Sequence, residues 1–263
     1  MASFTGTSIK NVYKDILHTS NSNTGIGTTI KQITCGDGDT TALYLSSRNL
    51  KVQPNADTTT NTVIYDKDGN ALVTVDSTND LVKAGIGQHI VNTQFKEFGV
   101  FDFSPTAGTH HPLVVNGGLS EGTAYTGDVN GSDWGGTGTN PATSLTVSSA
   151  AEQLVPSLWI LQQNITIDQI QYVMSADGAS TVNLHVMSYD IATGSGATAG
   201  DLSNGAVIGD SSAITVGDDR VSNGTITIQT ADNNSGKAIA VFAENVGGTD
   251  DISVQVNLKY HLR

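Results

Sequence analysis

The sequence contains a single cysteine and few basic residues. Cys35 has no second cysteine with which to form an intrachain disulfide, so covalent cross-links do not stabilise the chain. The 12 Lys and Arg residues are outnumbered by 25 Asp and Glu residues, which gives a formal net charge of −13. Such a surface repels phosphate backbones and anionic lipid headgroups, so we expect neither nucleic acid nor a membrane as a partner.

Long hydrophobic runs are also missing. No apolar stretch approaches the roughly 20 residues that a membrane-spanning helix needs, and no export signal is recognisable. We therefore expect a soluble chain. Aromatic residues make up only 6% of the sequence, and the tryptophans are limited to Trp134 and Trp159. This scarcity argues against a glycan-cleaving enzyme, because such enzymes stack sugars on aromatic rings.

The residues that are abundant are typical of an all-β protein. Gly (29 residues), Thr, Ser, Asn and Asp separate short runs rich in Val and Ile. From Leu145 onward, about eight such runs recur at spacings of roughly 10 to 16 residues. This pattern predicts a β-sandwich over residues 101–263, with a jelly roll as its topology.

Three patterns predict details of this sandwich. Residues 252–262 alternate between apolar and polar side chains, which predicts one buried and one wet face. Residues 238–243 are apolar throughout, which predicts a strand in mid-sheet or under a partner. The alternation of apolar residues shifts by one position after Ile167, which predicts a β-bulge near Asp168.

The N-terminal part differs from the sandwich. Residues 8–18 carry apolar side chains at helical spacing, which predicts a short amphipathic helix that anchors the chain to another surface. The apolar stripe of this helix consists of Ile9, Val12, Tyr13, Ile16 and Leu17. A polar low-complexity stretch at 55–62 marks a boundary. We therefore expect an anchoring module at 1–54, a linker and hairpin at 55–100, and the sandwich at 101–263.

A hairpin is predicted within the middle region. An Asp-Gly pair at positions 68 and 69, between two apolar runs, favours a two-residue turn. This turn would pair Ile64 with Val73 on one face and Tyr65 with Leu72 on the other. Both faces are then apolar, and a lone hairpin is marginal in water. Either neighbouring subunits cover the hairpin, or residues 71–98 fold back onto the sandwich.

No catalytic motif is present. The sequence lacks the Gly-x-Ser-x-Gly elbow of many hydrolases. The adjacent His110 and His111 point opposite ways in an extended segment, and the other four histidines are scattered, so no transition-metal site is predicted. We expect no enzyme activity and no cofactor.

One Gly-rich segment holds two candidate contact features. Asp128, Asn130 and Asp133 offer oxygen donors at a spacing that calcium loops use, without the terminal Glu of an EF-hand. A solvated turn is the alternative explanation for these residues. Trp134, in the same segment, is the candidate for an exposed contact.

Two stretches resemble structural proteins of tailed bacteriophages. ALVTVDSTNDLVKAGIG, at residues 71–87, is similar to units found in their tail fibres and head fibres. The block that starts SIKNVYKDILH at residue 8 is similar to the start of many such proteins. The segments FDFSP, LWIL and GDLSNGAVI resemble decoration domains of marine phage particles. Only one VDxTN unit is present, so no long fibre shaft is expected.

The resemblance implies a homotrimer, in which neighbouring subunits cover the hairpin side chains Ile64, Tyr65, Leu72 and Val73. It also implies a virion location after assembly in the host cytoplasm. The expected function is that of a head decoration, head fibre or capsid-associated protein, attached to other capsid or tail proteins through the N-terminal module. The alternative is a tail fibre or receptor-binding tip, whose loop at 104–141 around Trp134 contacts a host-surface glycan.

Overall fold

In the computed structural model, the regular secondary structure of the described residues is almost entirely β-strand, which confirms the predicted all-β class. The strands fall into two compact units, Met1–Val91 and Asn92–Arg263. Among the described residues, no helix is long and apolar enough to cross a membrane. The structure describes residues 16–19, 25–104, 108–116, 134, 140–147, 154–217, 220–247 and 250–263.

The N-terminal unit contains two four-stranded antiparallel sheets, each with its strands in chain order. The strands are short and are joined by tight turns, as the clusters of Gly, Asp and Asn between them favour. The first sheet comprises β1 (His18–Thr19), β2 (Lys31–Thr34), β3 (Thr40–Leu45) and β4 (Leu50–Val52). The second comprises β5 (Thr62–Tyr65), β6 (Ala71–Asp76), β7 (Leu81–Ala84) and β8 (His89–Ile90).

The predicted N-terminal helix is not found at its described end. Ile16 and Leu17 have no regular secondary structure, and His18 begins a strand that pairs with Thr34. Pairing with a neighbouring strand therefore provides backbone hydrogen bonds where the last helical turn was expected. The other members of the predicted stripe, Ile9, Val12 and Tyr13, lie outside the described residues.

The predicted hairpin is formed by β5 and β6, but with a change of register. Ile64 pairs with Val73, as expected. Beyond this pair the register shifts, so that Tyr65 pairs with Ala71 instead of Leu72. The hairpin also continues through β7 and β8, which extend it to a four-stranded sheet.

The turn between β5 and β6 explains the shift. The Asp66 amide donates to the Asn70 carbonyl at 2.9 Å, which closes a three-residue loop instead of the predicted two-residue turn. The Asp66 carboxylate accepts the amides of Asp68 and Asn70 at 2.9 and 2.8 Å, which stabilises this longer turn. Gly69 provides the positive φ, 85°, that such loops require.

The VDxTN residues form the next turn, between β6 and β7. The buried Asp76 carboxylate accepts the backbone amide and the side-chain amide of Asn79, both at 3.0 Å, and pairs with Lys83 Nζ at 3.0 Å. These contacts lower the pKa of Asp76, with the Asn79 side chain as the largest cause. The motif therefore organises a turn through one buried carboxylate.

The described residues of the C-terminal unit form twelve antiparallel strands. A short 3₁₀ turn at Val155–Ser157 precedes the fourth of them. The strands are β9 (Thr93–Phe103), β10 (His110–Pro112), β11 (Val114–Val115), β12 (Trp159–Ile160), β13 (Ile165–Ala176), β14 (Ser180–Ile191), β15 (Leu202–Asp210), β16 (Ile214–Val216), β17 (Arg220–Ile228), β18 (Asp232–Asn233), β19 (Lys237–Gly247) and β20 (Ile252–Leu262).

Eight of these strands form the two layers of a jelly roll. One layer has the order β9-β20-β13-β17 and the other has the order β10-β19-β14-β15, with β15 and β17 paired at one edge. Numbered along the chain, the layers are 1-8-3-6 and 2-7-4-5, which is jelly-roll connectivity. The predicted boundary at residue 101 falls inside β9, so the sandwich begins earlier than expected.

The core between the layers follows the predicted alternation. Val254, Val256 and Leu258 of β20 are buried, whereas the intervening Gln255 and Asn257 are only half-buried. The predicted bulge is present, because the pairing of β13 with β20 shifts between residues 167 and 169.

The bulge has a specific partner on β20. Asp168, at the shifted position, meets His261 Nδ1 at 2.9 Å. The shift in the apolar alternation of the sequence therefore corresponds to a partly buried polar pair at the edge of the core.

Strand β19 is apolar on both faces because both faces are covered, as its sequence predicts. Ile239 and Val241 belong to the core between the layers. Ala240 and Phe242 belong to a second apolar cluster on the outer face of the layer β10-β19-β14-β15. The outer face of this layer is therefore a buried surface.

Candidate functional site

A row of polar side chains crosses the outer face of the layer β10-β19-β14-β15. Strand pairing places His110 of β10 opposite Glu244 of β19, and Glu244 opposite Asn183 of β14. His185 lies two residues after Asn183 and therefore on the same face. On its other side β14 pairs with β15, which places His185 opposite Asp210. Four adjacent strands thus contribute to one buried polar cluster.

The centre of this cluster consists of His110, His185 and Glu244. His185 Nε2 lies 3.3 Å from Glu244 Oε2, and His110 Nε2 lies 3.9 Å from the same oxygen. One donor atom from each of the three side chains lies within 4.8 Å of the other two. The two imidazole rings meet edge to face, with centroids 5.0 Å apart.

Two further side chains lie next to the central three. The Asn183 side-chain amide donates to Glu244 Oε2 at 2.7 Å. On the far side of His185, Nδ1 lies 3.0 Å from Asp210 Oδ1. The carboxylate of Glu244 is therefore held by a hydrogen bond, whereas His185 Nδ1 and Asp210 Oδ1 are close but do not have hydrogen-bond geometry.

Burial controls the charge of His185. His110 and Glu244 are fully buried, and His185 is 3% exposed. Burial is the largest cause that lowers the pKa of His185, and the Asp210 carboxylate acts in the opposite direction. Because the net shift is downward from 6.5, His185 is predominantly neutral at pH 7, and one ring nitrogen keeps a lone pair.

Sequence reasoning missed this cluster. It did anticipate that His110 and His111 diverge: His111 bonds Thr109 through Nε2 at 2.7 Å and packs against Phe103, away from Glu244. The partners of His110 come from other strands, and His185 and Glu244 are themselves 59 residues apart in the chain. One available signal was the position of Glu244 directly after six apolar residues, because it indicates a buried carboxylate.

Trp134 is not the exposed contact that its Gly-rich surroundings predicted. Its side chain is completely buried, with ring centroids 4.7 Å from Phe242 and 5.9 Å from Tyr189. The indole is buried because the outer face of the sheet offers an apolar surface against which it packs. The neighbouring calcium candidates Asp128, Asn130 and Asp133 lie outside the described residues.

The hairpin side chains expected at a subunit contact are largely solvent-accessible in the single chain. Ile64 is 55% exposed and Tyr65 is 59% exposed. Leu72 is also exposed, and Val73 is half-buried. Pairing places Ile64 and Val73 on one face of the sheet.

A separate surface cavity lies in the C-terminal unit. It has a volume of about 340 Å³. Trp159 and Tyr260 line it, with ring centroids 4.9 Å apart. The amide side chains of Gln94, Gln162 and Gln163 complete its polar wall. Trp159 is packed against the core between the layers, and its ring also borders this cavity.

Comparisons with known proteins give little further information. No protein-family model matches the chain, and no curated protein matches it. Among solved structures, a chain of infectious bursal disease virus, Gx strain, is similar over 99% of this chain, with 10% sequence identity and a TM-score of 0.31. The present chain spans about half, 48%, of that viral chain. A TM-score this low does not define a common fold, so the functional proposal depends on the residues themselves.

Proposed function

We propose that this protein is a structural component of a tailed-phage particle, exposed on the virion surface as a head decoration, head fibre or capsid-associated protein. The observation that carries the proposal is the VDxTN stretch at residues 71–87, which resembles units of phage surface proteins and forms an ordered strand-turn-strand. A jelly roll follows it in the chain. Jelly rolls are frequent in viral capsid proteins, and also in lectins and cupins, so the fold supports the proposal only by analogy.

Self-association into a homotrimer is part of the proposal. Cross-strand pairing aligns Ile64 with Val73, and Val75 with Val82, on one face of the sheet β5–β8. Ile64 and Val82 are exposed in the single chain, which leaves an apolar surface suited to burial between subunits. Three copies around a three-fold axis would bury these side chains.

The proposed roles of the two units differ. The N-terminal unit attaches to another protein of the capsid or tail, and the C-terminal unit faces outward. The net charge of −13 keeps densely packed copies soluble and mutually repelling. The proposal includes no catalytic reaction.

Protein composition of purified particles tests this function. Mass spectrometry of virions that encode this chain should detect it as a stoichiometric component. A copy number in the hundreds supports decoration or capsid association, and a few tens or fewer supports a fibre or tip. Its absence from particles that are otherwise complete would overturn the proposal.

Glycan binding is a second candidate function, and the cavity beside Trp159 favours it. An indole ring can pack against the apolar face of a sugar, and amides such as Gln94 and Gln162 can bond its hydroxyls. The cavity, at about 340 Å³, is large enough for one or two sugar rings. A glycan array on the full chain tests this candidate. Trp159→Ala should abolish any signal, whereas Leu50→Ala, in the N-terminal unit, should leave it unchanged.

A further inference from the structure

The polar cluster on the outer face of the jelly roll has the composition of a metal site. Two imidazoles and one carboxylate, His110, His185 and Glu244, point toward one another from three adjacent strands. Nitrogen and carboxylate donors in this ratio bind zinc and other first-row divalent ions, whereas calcium and magnesium prefer oxygen donors alone.

The distances match such an ion. Tetrahedral zinc with bonds of about 2.0 to 2.1 Å separates its ligand atoms by about 3.4 Å. His185 Nε2 and Glu244 Oε2 are 3.3 Å apart, and His110 Nε2 is 3.9 Å from that oxygen. All three ligand atoms lie within 4.8 Å of one another.

The surrounding residues match as well. Histidines that bind metals usually direct their second ring nitrogen to a carboxylate, and Asp210 Oδ1 lies 3.0 Å from His185 Nδ1, close to the ring but without hydrogen-bond geometry. Asn183 donates to Glu244 Oε2 at 2.7 Å, which orients the carboxylate. The carboxylate ligand is therefore oriented by a hydrogen bond, and the second carboxylate lies beside the ring of His185.

We propose that His110, His185 and Glu244 bind one divalent first-row transition-metal ion, with a fourth position left to water. The ion joins the short strand β10 to β19 and β14. This site is independent of where the protein resides, because it depends only on side chains of the C-terminal unit.

Zinc binding to the full chain tests the site. After metal removal and dialysis against zinc, the wild-type chain should retain one zinc ion per chain by elemental analysis. At a free zinc concentration about 100 times Kd, the thermal midpoint should rise by roughly 5 to 10 °C. A wild-type chain that retains no stoichiometric zinc overturns the proposal and leaves a hydrogen-bonded cluster only.

Glutamine variants separate ligation from hydrogen bonding, because glutamine keeps a polar group near the position of Nε2. His110→Gln and His185→Gln should weaken zinc binding by more than about 100-fold, and Asp210→Asn by about 10- to 100-fold. His111→Gln, on the same strand but with its side chain on the other face, is the matched control and should bind as wild type. Equal affinity in all four variants overturns the proposal.

A measurement on the wild type keeps the test decisive if the variants fail to fold. X-ray absorption spectroscopy of the zinc-loaded chain should show two imidazoles and oxygen ligands, without sulfur. A coordination sphere with fewer than two imidazoles places the ion elsewhere and overturns the proposal.

Discussion

At the residue scale, the burial of a side chain does not always follow from its neighbours in the sequence. Trp134 lies in a Gly-rich segment and Trp159 in an apolar strand, yet Trp134 is fully buried and Trp159 borders a cavity. On β20, by contrast, strict alternation predicted burial correctly. The difference arises because alternation encodes the two faces of a strand, whereas a loop residue has no such period.

Val256→Asp should strongly destabilise the C-terminal unit. Val256 is completely buried between its neighbours Tyr172 and Phe98, and an unpaired carboxylate there costs several kcal/mol or is forced to protonate. A loss of that size is comparable to the whole stability of a domain, about 5 to 15 kcal/mol. Asn257→Asp, one residue along on the half-buried face, is the control and should change little. Thermal midpoints of the two soluble variants decide the matter, and equal midpoints would refute a half-buried β20.

Trp134→Ala should destabilise the chain by about 3 to 5 kcal/mol, because it leaves a cavity between Phe242 and Tyr189. Trp134→Phe keeps an aromatic ring at this position and should lose less. Urea denaturation of both variants measures the difference. If Trp134→Ala unfolds at the wild-type urea concentration, the indole does not contribute to the second apolar cluster.

At the element scale, turns decide register. The Asp-Gly pair indicated a hairpin correctly, but the Asp66 carboxylate holds a three-residue loop and so shifts Tyr65 by one position. The Asp76 carboxylate likewise organises the following turn, between β6 and β7. Side-chain bonds to backbone amides therefore set local details that apolar patterns leave open.

Asp76→Asn should loosen the β6–β7 turn at pH 7. The folded-state pKa of Asp76 is lowered from 3.8, so its charged form stabilises the fold, and this contribution is present above pH 3.8. As the pH falls through the folded-state pKa, the contribution is lost, and the variant should then match the wild type. Hydrogen-exchange protection of the β6 and β7 amides in the full chain, followed from pH 7 downward until Asp76 is protonated, measures both effects.

Asp68→Asn is the control for this substitution. Asp68 pairs only with the neighbouring Lys67, and both side chains are largely exposed, so its removal should have almost no effect. Exchange rates that rise equally in both variants would show that Asp76 has no special role in the turn.

At the scale of the whole molecule, the chain combines a small N-terminal unit of short strands with a complete jelly roll. The jelly roll has an extensive core of its own. In the N-terminal unit the described apolar side chains that are well buried are few, with Ile33 the clearest, while Ile64 and Tyr65 remain exposed. This imbalance favours self-association through the N-terminal unit.

The purified chain should therefore sediment as a homotrimer at micromolar concentration, at three times the mass of one chain. Ile64→Asp should shift the equilibrium toward monomers, because it places a charge in the proposed contact. Lys67→Asp, at the exposed tip of the same hairpin, should remain trimeric and controls for the change of charge. A stable wild-type monomer would contradict the trimer.

The sequence by itself determined the strand content, the β-sandwich class of the C-terminal unit, the two-faced character of β20 and the bulge at Asp168. These features depend on local patterns of apolar residues and turns, which are readable along the chain. Tertiary structure alone decided the burial of Trp134 and the meeting of His110, His185 and Glu244. Jelly-roll connectivity makes neighbours of the second, seventh and fourth strands, so side chains far apart in sequence share one face, and no local period records that proximity.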